Sequence, residues 1–408
     1  MKRIVTFALL FLLICSNNPY GVVHAKEMPP PVSADGAVIL DAATGQLLYS
    51  KNPDTAYPPA STTKIMTALL TLENTNLNDK VIIGKNPPNV DGTRVGLCEG
   101  EQLTVKDLLY GLLLASDNDC AEALAEHIGG TMDKFAVKMN KRAKELGAKN
   151  TNFVNPTGLF NENHKTSARD LALMMRALSK HPEYSKIATT ISYTIPATNK
   201  SPQPREVWNE NKLIQKQSTY YYSGCLGGKT GYTIQSFHSY VSTATRNGQQ
   251  LIVALIHDKN KTFFPDAVSL FNFGFNNFTF TKLYQKGALV TTYNKDGLSV
   301  PLIAAYDFYY IKAKDDTNVP QVTLKDKNLM FRFFKKGNIV DEASISFEGR
   351  EIGKLKLASS ITHGEKQVLN SNNMQKIIMK NKYLLAVPPI IIILAVVFVL
   401  KRRVFSNK

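Results

Sequence analysis

Cysteine is scarce in this chain of 408 residues, with four in all, and tryptophan occurs once. Cys15 falls in an N-terminal stretch that reads as a removable leader, which leaves Cys98, Cys120 and Cys225. An odd number of thiols cannot all pair in an exported protein. No C-x-x-C or H-x-x-x-H spacing is present to hold a metal, so neither a metal nor another cofactor is called for. The three thiols are expected to be small, buried, apolar groups. Internal repeats and long low-complexity segments are also missing. Basic residues are not interleaved with aromatics, so nucleic acid is not an expected partner.

What is present begins with the two ends. Met1–Ala25 has a basic start (Lys2, Arg3), an apolar stretch from Ile4 to Ile14 and a small-x-small close at Val23-His24-Ala25. That is the layout of a secretory signal peptide. Ile14 stands before Cys15 where lipoprotein processing wants a small side chain. Leu384–Leu400 (LLAVPPIIIILAVVFVL) carries no charge and stops at Lys401-Arg402-Arg403. It is expected to cross the membrane once, with the basic tail 401–408 cytoplasmic and the bulk of the chain extracytoplasmic. Pro388-Pro389 would kink such a helix. Without the basic residues of the two ends, 43 Lys+Arg still outnumber 33 Asp+Glu, a surface suited to an envelope rich in anionic polymers and lipids.

Between the ends the pattern changes once. Ala37–Leu40 and Leu47–Tyr49 flank Ala43-Thr44-Gly45 and predict an early hairpin. Helices are expected from Ser61 to about Leu72, after Thr104-x-x-Asp107 (a capping box), from about Asp119 to His127, over Met132–Leu146 and over Ser167–Leu178. Ser239–Thr245 and Leu251–Ile256 flank Asn247-Gly248, a strong hairpin signal. Strands at both ends of this segment, with helices between, imply one sheet closed by distant parts of the chain. Domains are expected at 33–280 and, β-rich, at 281–372, with strand-like runs such as Leu329–Phe334 and Ala343–Phe347. A linker at 373–383 would lead to the anchor at 384–400.

The chemistry is carried by three short motifs. Residues 58–70 read PPASTTKIMTALL, with Ser61 and Lys64 three apart on one face of a helix. A hydroxyl is a poor nucleophile until a base takes its proton. Lys64 can be that base only when neutral, which requires a large fall from a reference pKa of about 10.4. Desolvation and a neighbouring cation both act in that direction. Residues 114–120 (LASDNDC) place Ser116 and Asn118 at the end of an apolar helix. Residues 224–233 (GCLGGKTGYT) place Lys229, Thr230 and Gly231 on an expected strand. S-x-x-K, S-D-N and K-T-G, in that order, form the signature of penicillin-recognising serine enzymes.

With these motifs the chain resembles the low-molecular-mass penicillin-binding proteins, D-alanyl-D-alanine carboxypeptidases of serine peptidase family S11. The likeness runs from about Gly36 to Phe275, through Asn155-Pro-Thr-Gly-Leu159 and His164–Met174. It extends more weakly to Phe347–Gly353. The resemblance implies an α/β (α+β) fold: a β-lactamase/transpeptidase-like domain whose antiparallel sheet is flanked by helices, a small C-terminal β-rich domain and a membrane anchor. It implies that Ser61 attacks the carbonyl between the last two D-alanines of a peptidoglycan stem peptide, with Lys64 as general base. Ser116 and Lys229 would relay a proton to the leaving nitrogen, and Asn118 would hold the peptide amide and orient Lys64. The N–H groups of Ser61 and Tyr232 would form the oxyanion hole. Lys229, Thr230, Gly231 and Thr233 would face the terminal carboxylate, and β-lactams would acylate Ser61.

One position departs from the family. Where relatives carry a carboxylate-binding arginine, counting back from Phe273-Gly-Phe275 gives Phe263, with Lys259 and Lys261 nearby. Lysine lacks arginine's bidentate fork. A catalytically weak, penicillin-binding wall protein therefore stays open as an alternative. A class A β-lactamase is the other, but residues 148–161 hold no glutamate for a deacylating water. His164, His238 and His257 come with no G-x-S-x-G elbow and are expected to be structural or exposed. Trp208 is expected to pack beside the site without a chemical role.

Overall fold

A computed structural model describes residues 28–364 apart from 296, 326, 327 and 331. The expected leader, linker, anchor and basic tail lie outside these residues. Among the described residues no helix is long and apolar enough to cross a membrane. The described residues form two compact units, one running to Leu283 and taking in Tyr309–Val319, the other made of Tyr284–Phe308 and the described residues from Pro320 onward. The boundary expected at residue 280 falls just before Leu283, where the first unit's long stretch ends, and the chain returns to that unit at Tyr309–Val319.

The first unit is built on β1 (Gly36–Asp41) and β2 (Leu47–Lys51), a 3-10 turn at Ala60–Thr63, and α1 (Lys64–Asn74). There follow β3 (Lys80–Ile82), β4 (Gln102–Thr104), α2 (Val105–Tyr110), α3 (Asn118–Gly129), α4 (Met132–Glu145), α5 (Ala168–Leu178) and α6 (Pro182–Ala188). The unit continues with β5 (Ser192–Ile195), β6 (Arg205–Trp208), β7 (Cys225–Thr233), β8 (Phe237–Arg246), β9 (Gln249–Asp258), α7 (Phe263–Asn277) and β10 (Phe278–Tyr284). Five strands form the main antiparallel sheet in the order β2-β1-β9-β8-β7. β1 pairs with β9 through Ile39 opposite Val253, so the two ends of the segment close one sheet.

Strand alternation sorts the core into two layers. Val38, Leu40, Ile252, Ala254 and Ile256 face Ile65, Met66 and Leu69 of α1 and Leu171 and Met175 of α5. Ala37, Ile39, Leu251, Val253 and Leu255 face Ala267, Leu270 and Phe271 of α7. With both faces covered, β1 and β9 can be apolar almost throughout. The β8–β9 turn has φ of 51° at Asn247 and 79° at Gly248, as a two-residue hairpin requires.

The Thr104–Asp107 capping box opens α2 as expected, with Asp107 N–H donating to Thr104 Oγ1 and Thr104 N–H to Asp107 Oδ2. The apolar run behind it does not stay α-helical. It widens into a π-turn over Gly111–Ala115, where Gly111 is packed so tightly that a Cβ would lie 2.6 Å from Cys120 Sγ. The turn ends on Ser116 with φ 68°. Cys98 corrects the expectation of buried thiols, being exposed while Cys120 is buried.

In the second unit β11 (Leu289–Lys295), β12 (Leu298–Ala304), β14 (Gln321–Leu324), β15 (Ile339–Phe347) and β16 (Arg350–Ser359) make a sheet ordered β11-β12-β16-β15-β14. The remaining strand, β13 (Phe308–Ala313), belongs from Tyr309 onward to the first unit and pairs there with β10, where Phe280 stacks on Tyr309 at 4.6 Å. Ala343–Phe347 lies in β15, but among the described residues of Leu329–Phe334 no named strand occurs, and Phe334 makes an isolated bridge with His363.

Candidate active site

Ser61 sits in a turn that the chain enters under strain. Ala60 has φ 50°, a left-handed value that costs an L-residue about 1–2 kcal/mol. Two glycines hold the turn in place by having no side chain. A Cβ on Gly158 would fall 1.9 Å from Ala60 O, and one on Gly231 would fall 2.8 Å from the Ser61 nitrogen. The 155–159 loop thus clamps the turn on one side and β7 on the other. Asn155 fixes that loop, its Oδ1 accepting from the N–H groups of Thr157 and Gly158.

Lys64 opens α1 and is fully buried. Its Nζ lies 3.0 Å from Ser61 Oγ, 2.6 Å from Asn118 Oδ1 and 2.8 Å from Thr157 O. Amide and carbonyl oxygens only accept. A neutral amine has two N–H groups and one lone pair, so giving both protons to Asn118 and Thr157 leaves the lone pair facing the Ser61 hydroxyl. Burial, followed by the charge of Lys229, holds Lys64 well below the ordinary lysine range, against the opposing pull of Asp117 and Glu210.

Over these groups opens a cleft of about 860 Å³ lined by Ser61, Ser116, Thr230, Gly231 and Tyr232, among others. Asn118, at the start of α3, also donates from Nδ2 to Asp91 O at 2.6 Å, so its amide is held at both ends. Asp117 between them is buried, its Oδ2 has no hydrogen-bond partner, and burial together with Asp119 pushes its carboxyl up to about 7. Lys229 is buried beside the cleft, donates to Thr230 O at 3.0 Å and is held below the usual lysine range by desolvation. Thr230 Oγ1 donates to Glu210 Oε2 at 3.0 Å. Tyr232 is exposed and stacks on His238 at 4.4 Å.

Among the residues expected at the site, Thr233 stands apart. Its hydroxyl donates to Ser236 Oγ and accepts from Ser236 N–H within the β7–β8 turn, and it does not line the cleft. Among the described residues no group of three or more His, Cys, Asp or Glu side chains could hold a metal ion.

A family model described as D-alanyl-D-alanine carboxypeptidase matches residues 23–260. The chain belongs to the D-alanyl-D-alanine carboxypeptidase family. A second model, the C-terminal domain of penicillin-binding protein 5, matches residues 278–365. The D-alanyl-D-alanine carboxypeptidase DacF of Bacillus subtilis is 34% identical over 71% of this chain and 75% of its own. The DacA enzyme of Haemophilus influenzae is 29% identical over 82% of this chain and 88% of its own. Penicillin-binding protein 5 from Haemophilus influenzae superimposes with a TM-score of 0.69 at 30% identity, covering 83% of this chain and all of that one. A D-alanyl-D-alanine carboxypeptidase from Mycobacterium tuberculosis gives 0.57 at 32% identity over 62% and 95% of the two chains.

Within this carboxypeptidase family the departures can be located. Phe263 lines the cleft, and so does Lys261, whose φ is 58°. Lys259 does not: its amine lies 3.6 Å from Asp35 and packs over Phe237. His164 is buried and His257 pairs with Asp35 at 2.6 Å, whereas His238 lines the cleft. Trp208 corrects the packing expectation, being 59% exposed. Two participants lie outside the expected set: the Thr157 carbonyl, which any residue at that place in the Asn155–Leu159 stretch could supply, and Glu210, the acidic residue of the run Asn209–Leu213.

Proposed function

We propose that this chain is a serine-type D-alanyl-D-alanine carboxypeptidase that removes the terminal D-alanine from peptidoglycan stem pentapeptides, and that penicillin acylates it at the same oxygen. The observation that carries the reading is the buried Lys64 amine 3.0 Å from Ser61 Oγ, with both of its protons claimed by fixed acceptors. In the first step the Ser61 proton passes to Lys64 Nζ as Oγ bonds to the penultimate carbonyl carbon. Backbone N–H groups of Ser61 and Tyr232 stabilise the oxyanion, each donor being worth about 3 kcal/mol. The C–N bond then breaks as the proton held on Lys64 is relayed through Ser116 and Lys229 to the departing nitrogen, which leaves Lys64 neutral and releases D-alanine. Water attacks the acyl carbon as Lys64 takes one of its protons. Lys64 returns that proton to Ser61 Oγ as the C–Oγ bond breaks, restoring the serine and freeing the shortened peptide. Asn118 keeps Lys64 on Ser61. Lys229 and Thr230 with Gly231 receive the terminal carboxylate.

Export followed by a single C-terminal membrane anchor, with the catalytic unit extracytoplasmic, is the localisation supported by the sequences of residues 1–25 and 384–408.

The test is mass spectrometry of penicillin-treated protein together with release of D-alanine from a pentapeptide. A long-lived adduct on Ser61 and stoichiometric release of D-alanine are expected, both abolished in Ser61→Ala. Labelling that survives this change would move the nucleophile elsewhere. Rapid penicillin turnover would make the protein a β-lactamase, and an adduct without peptide hydrolysis would make it a catalytically weak wall protein.

A further inference from the structure

The cleft contains an acidic side chain where an anion is to be received. Glu210 Oε2 accepts the Thr230 hydroxyl proton at 3.0 Å and lies 3.9 Å from Lys229 Nζ. Both partners are the groups read above as the carboxylate subsite. Lys229 is buried, and among its contacts Glu210 supplies a counter-charge from the solvent side, with its own side chain half exposed.

The backbone around Glu210 is held firmly. Asn209 Nδ2 donates to Ala188 O and Thr190 O, and Asn211 Oδ1 accepts from Leu213 N–H and the Tyr240 hydroxyl. Glu210 N–H itself donates to Leu114 O at 3.1 Å, two residues before Ser116. With both neighbours anchored and buried, the side chain of Glu210 can leave Thr230 by rotating about its own bonds while the backbone stays in place.

We propose that Glu210 is a specificity-determining residue whose carboxylate engages the subsite for a substrate's terminal carboxylate and must be displaced for acylation. The proposal rests on the carboxylate-subsite reading of Lys229 and Thr230. Glu210 then raises the concentration of any free-carboxylate ligand needed to reach a given rate. A ligand without that carboxylate does not have to exchange for it at Thr230. The effect is electrostatic and partly screened, so its size is that of a half-exposed charge pair.

The experiment compares acylation of the full chain by benzylpenicillin, which carries the free carboxylate, with acylation by its methyl ester, which does not. Glu210→Gln keeps an oxygen for Thr230 and removes the charge. Its second-order rate constant for benzylpenicillin should rise about fivefold at low salt, with the ester changed less than about twofold. Glu210→Ala should agree in direction. An unchanged free-acid rate, a fall in that rate, or an equal change for acid and ester each overturns the proposal, the last by placing Glu210's influence on the nucleophile.

Thr230→Val separates this from the reading beneath it. Loss of the acid-over-ester preference in Thr230→Val, with Glu210→Gln silent, would leave the subsite standing and remove the role of Glu210. An unchanged preference in Thr230→Val would remove the subsite, and the proposal with it.

Discussion

Lys64 Nζ lies nearer to Asn118 Oδ1, at 2.6 Å, than to the Ser61 oxygen it is proposed to deprotonate, at 3.0 Å. Asn118 is itself tied to Asp91 O, so the short contact acts as a fixed post for the amine. In Asn118→Ala one N–H of the neutral amine loses its acceptor, and the lone pair is free to turn from Ser61. Acylation by penicillin should fall about a hundredfold, the scale of a misplaced general base. Near-normal labelling rates would show that Thr157 O alone positions the amine.

The depressed Lys64 titration predicts an acid limb in the acylation profile, since only the neutral amine can accept the Ser61 proton. Desolvation is the larger cause and the cation of Lys229 the next. A neighbouring positive charge disfavours protonation, so removing it raises the pKa of Lys64. Lys229→Gln should therefore move the acid limb to higher pH, while Lys229→Arg should leave it near the wild-type position. The check is the second-order acylation rate measured across pH for all three proteins. A limb that moves to lower pH in Lys229→Gln would reverse the assigned sign.

Much of this site is legible in the sequence because its residue types are not interchangeable. A serine and a lysine three apart before an apolar helix, and a lysine on a glycine-flanked strand, are constellations that a plain core or surface has no reason to assemble. The Thr104–Asp107 box and the Asn247-Gly248 turn are legible for the same reason, since each side chain meets a specific backbone need. What escapes is set by backbone and by distance. The Thr157 carbonyl that completes the Lys64 cage has no side-chain signature, and the π-turn over Gly111–Ala115 depends on contact between Gly111 and Cys120. Thr233 is turned to Ser236 by a local hydrogen bond. Hydrophobicity alone also misplaces Cys98 and Trp208, which are exposed.

His164 ties the turn that carries Ser61 to the fold in a way that acid should undo. Its Nδ1 accepts from Val154 N–H, which leaves Nε2–H to donate to Thr63 Oγ1 at 2.8 Å, one residue before Lys64. Burial lowers its pKa from 6.5 to about 4. Between these values the unfolded chain binds the proton more tightly, so the stabilisation is whole above pH 6.5 and is lost as pH falls toward 4. The full span is worth about 3 kcal/mol. Denaturant unfolding of wild type and His164→Gln at several pH values should show the gap between them narrowing across that window. A gap independent of pH would exclude His164 as the titrating group.

Gly158 and Gly147 allow steric clash to be separated from backbone strain. Both have left-handed φ, 85° and 87° respectively, but a Cβ on Gly147 meets nothing within 4 Å while one on Gly158 meets Ala60 O at 1.9 Å. Alanine at either position pays the left-handed penalty of about 1–2 kcal/mol. Only Gly158→Ala must also push the carbonyl before Ser61, and with it the turn carrying the nucleophile. Gly147→Ala is therefore expected to lower the melting temperature by a few degrees with acylation unchanged. Gly158→Ala should be less stable than Gly147→Ala by at least about 2 kcal/mol and should acylate at least about tenfold more slowly well below its melting point, because a small displacement of a nucleophile is costly. Equal melting temperatures and equal acylation rates for the two variants would mean that the 155–159 loop yields to the added methyl and does not clamp Ser61.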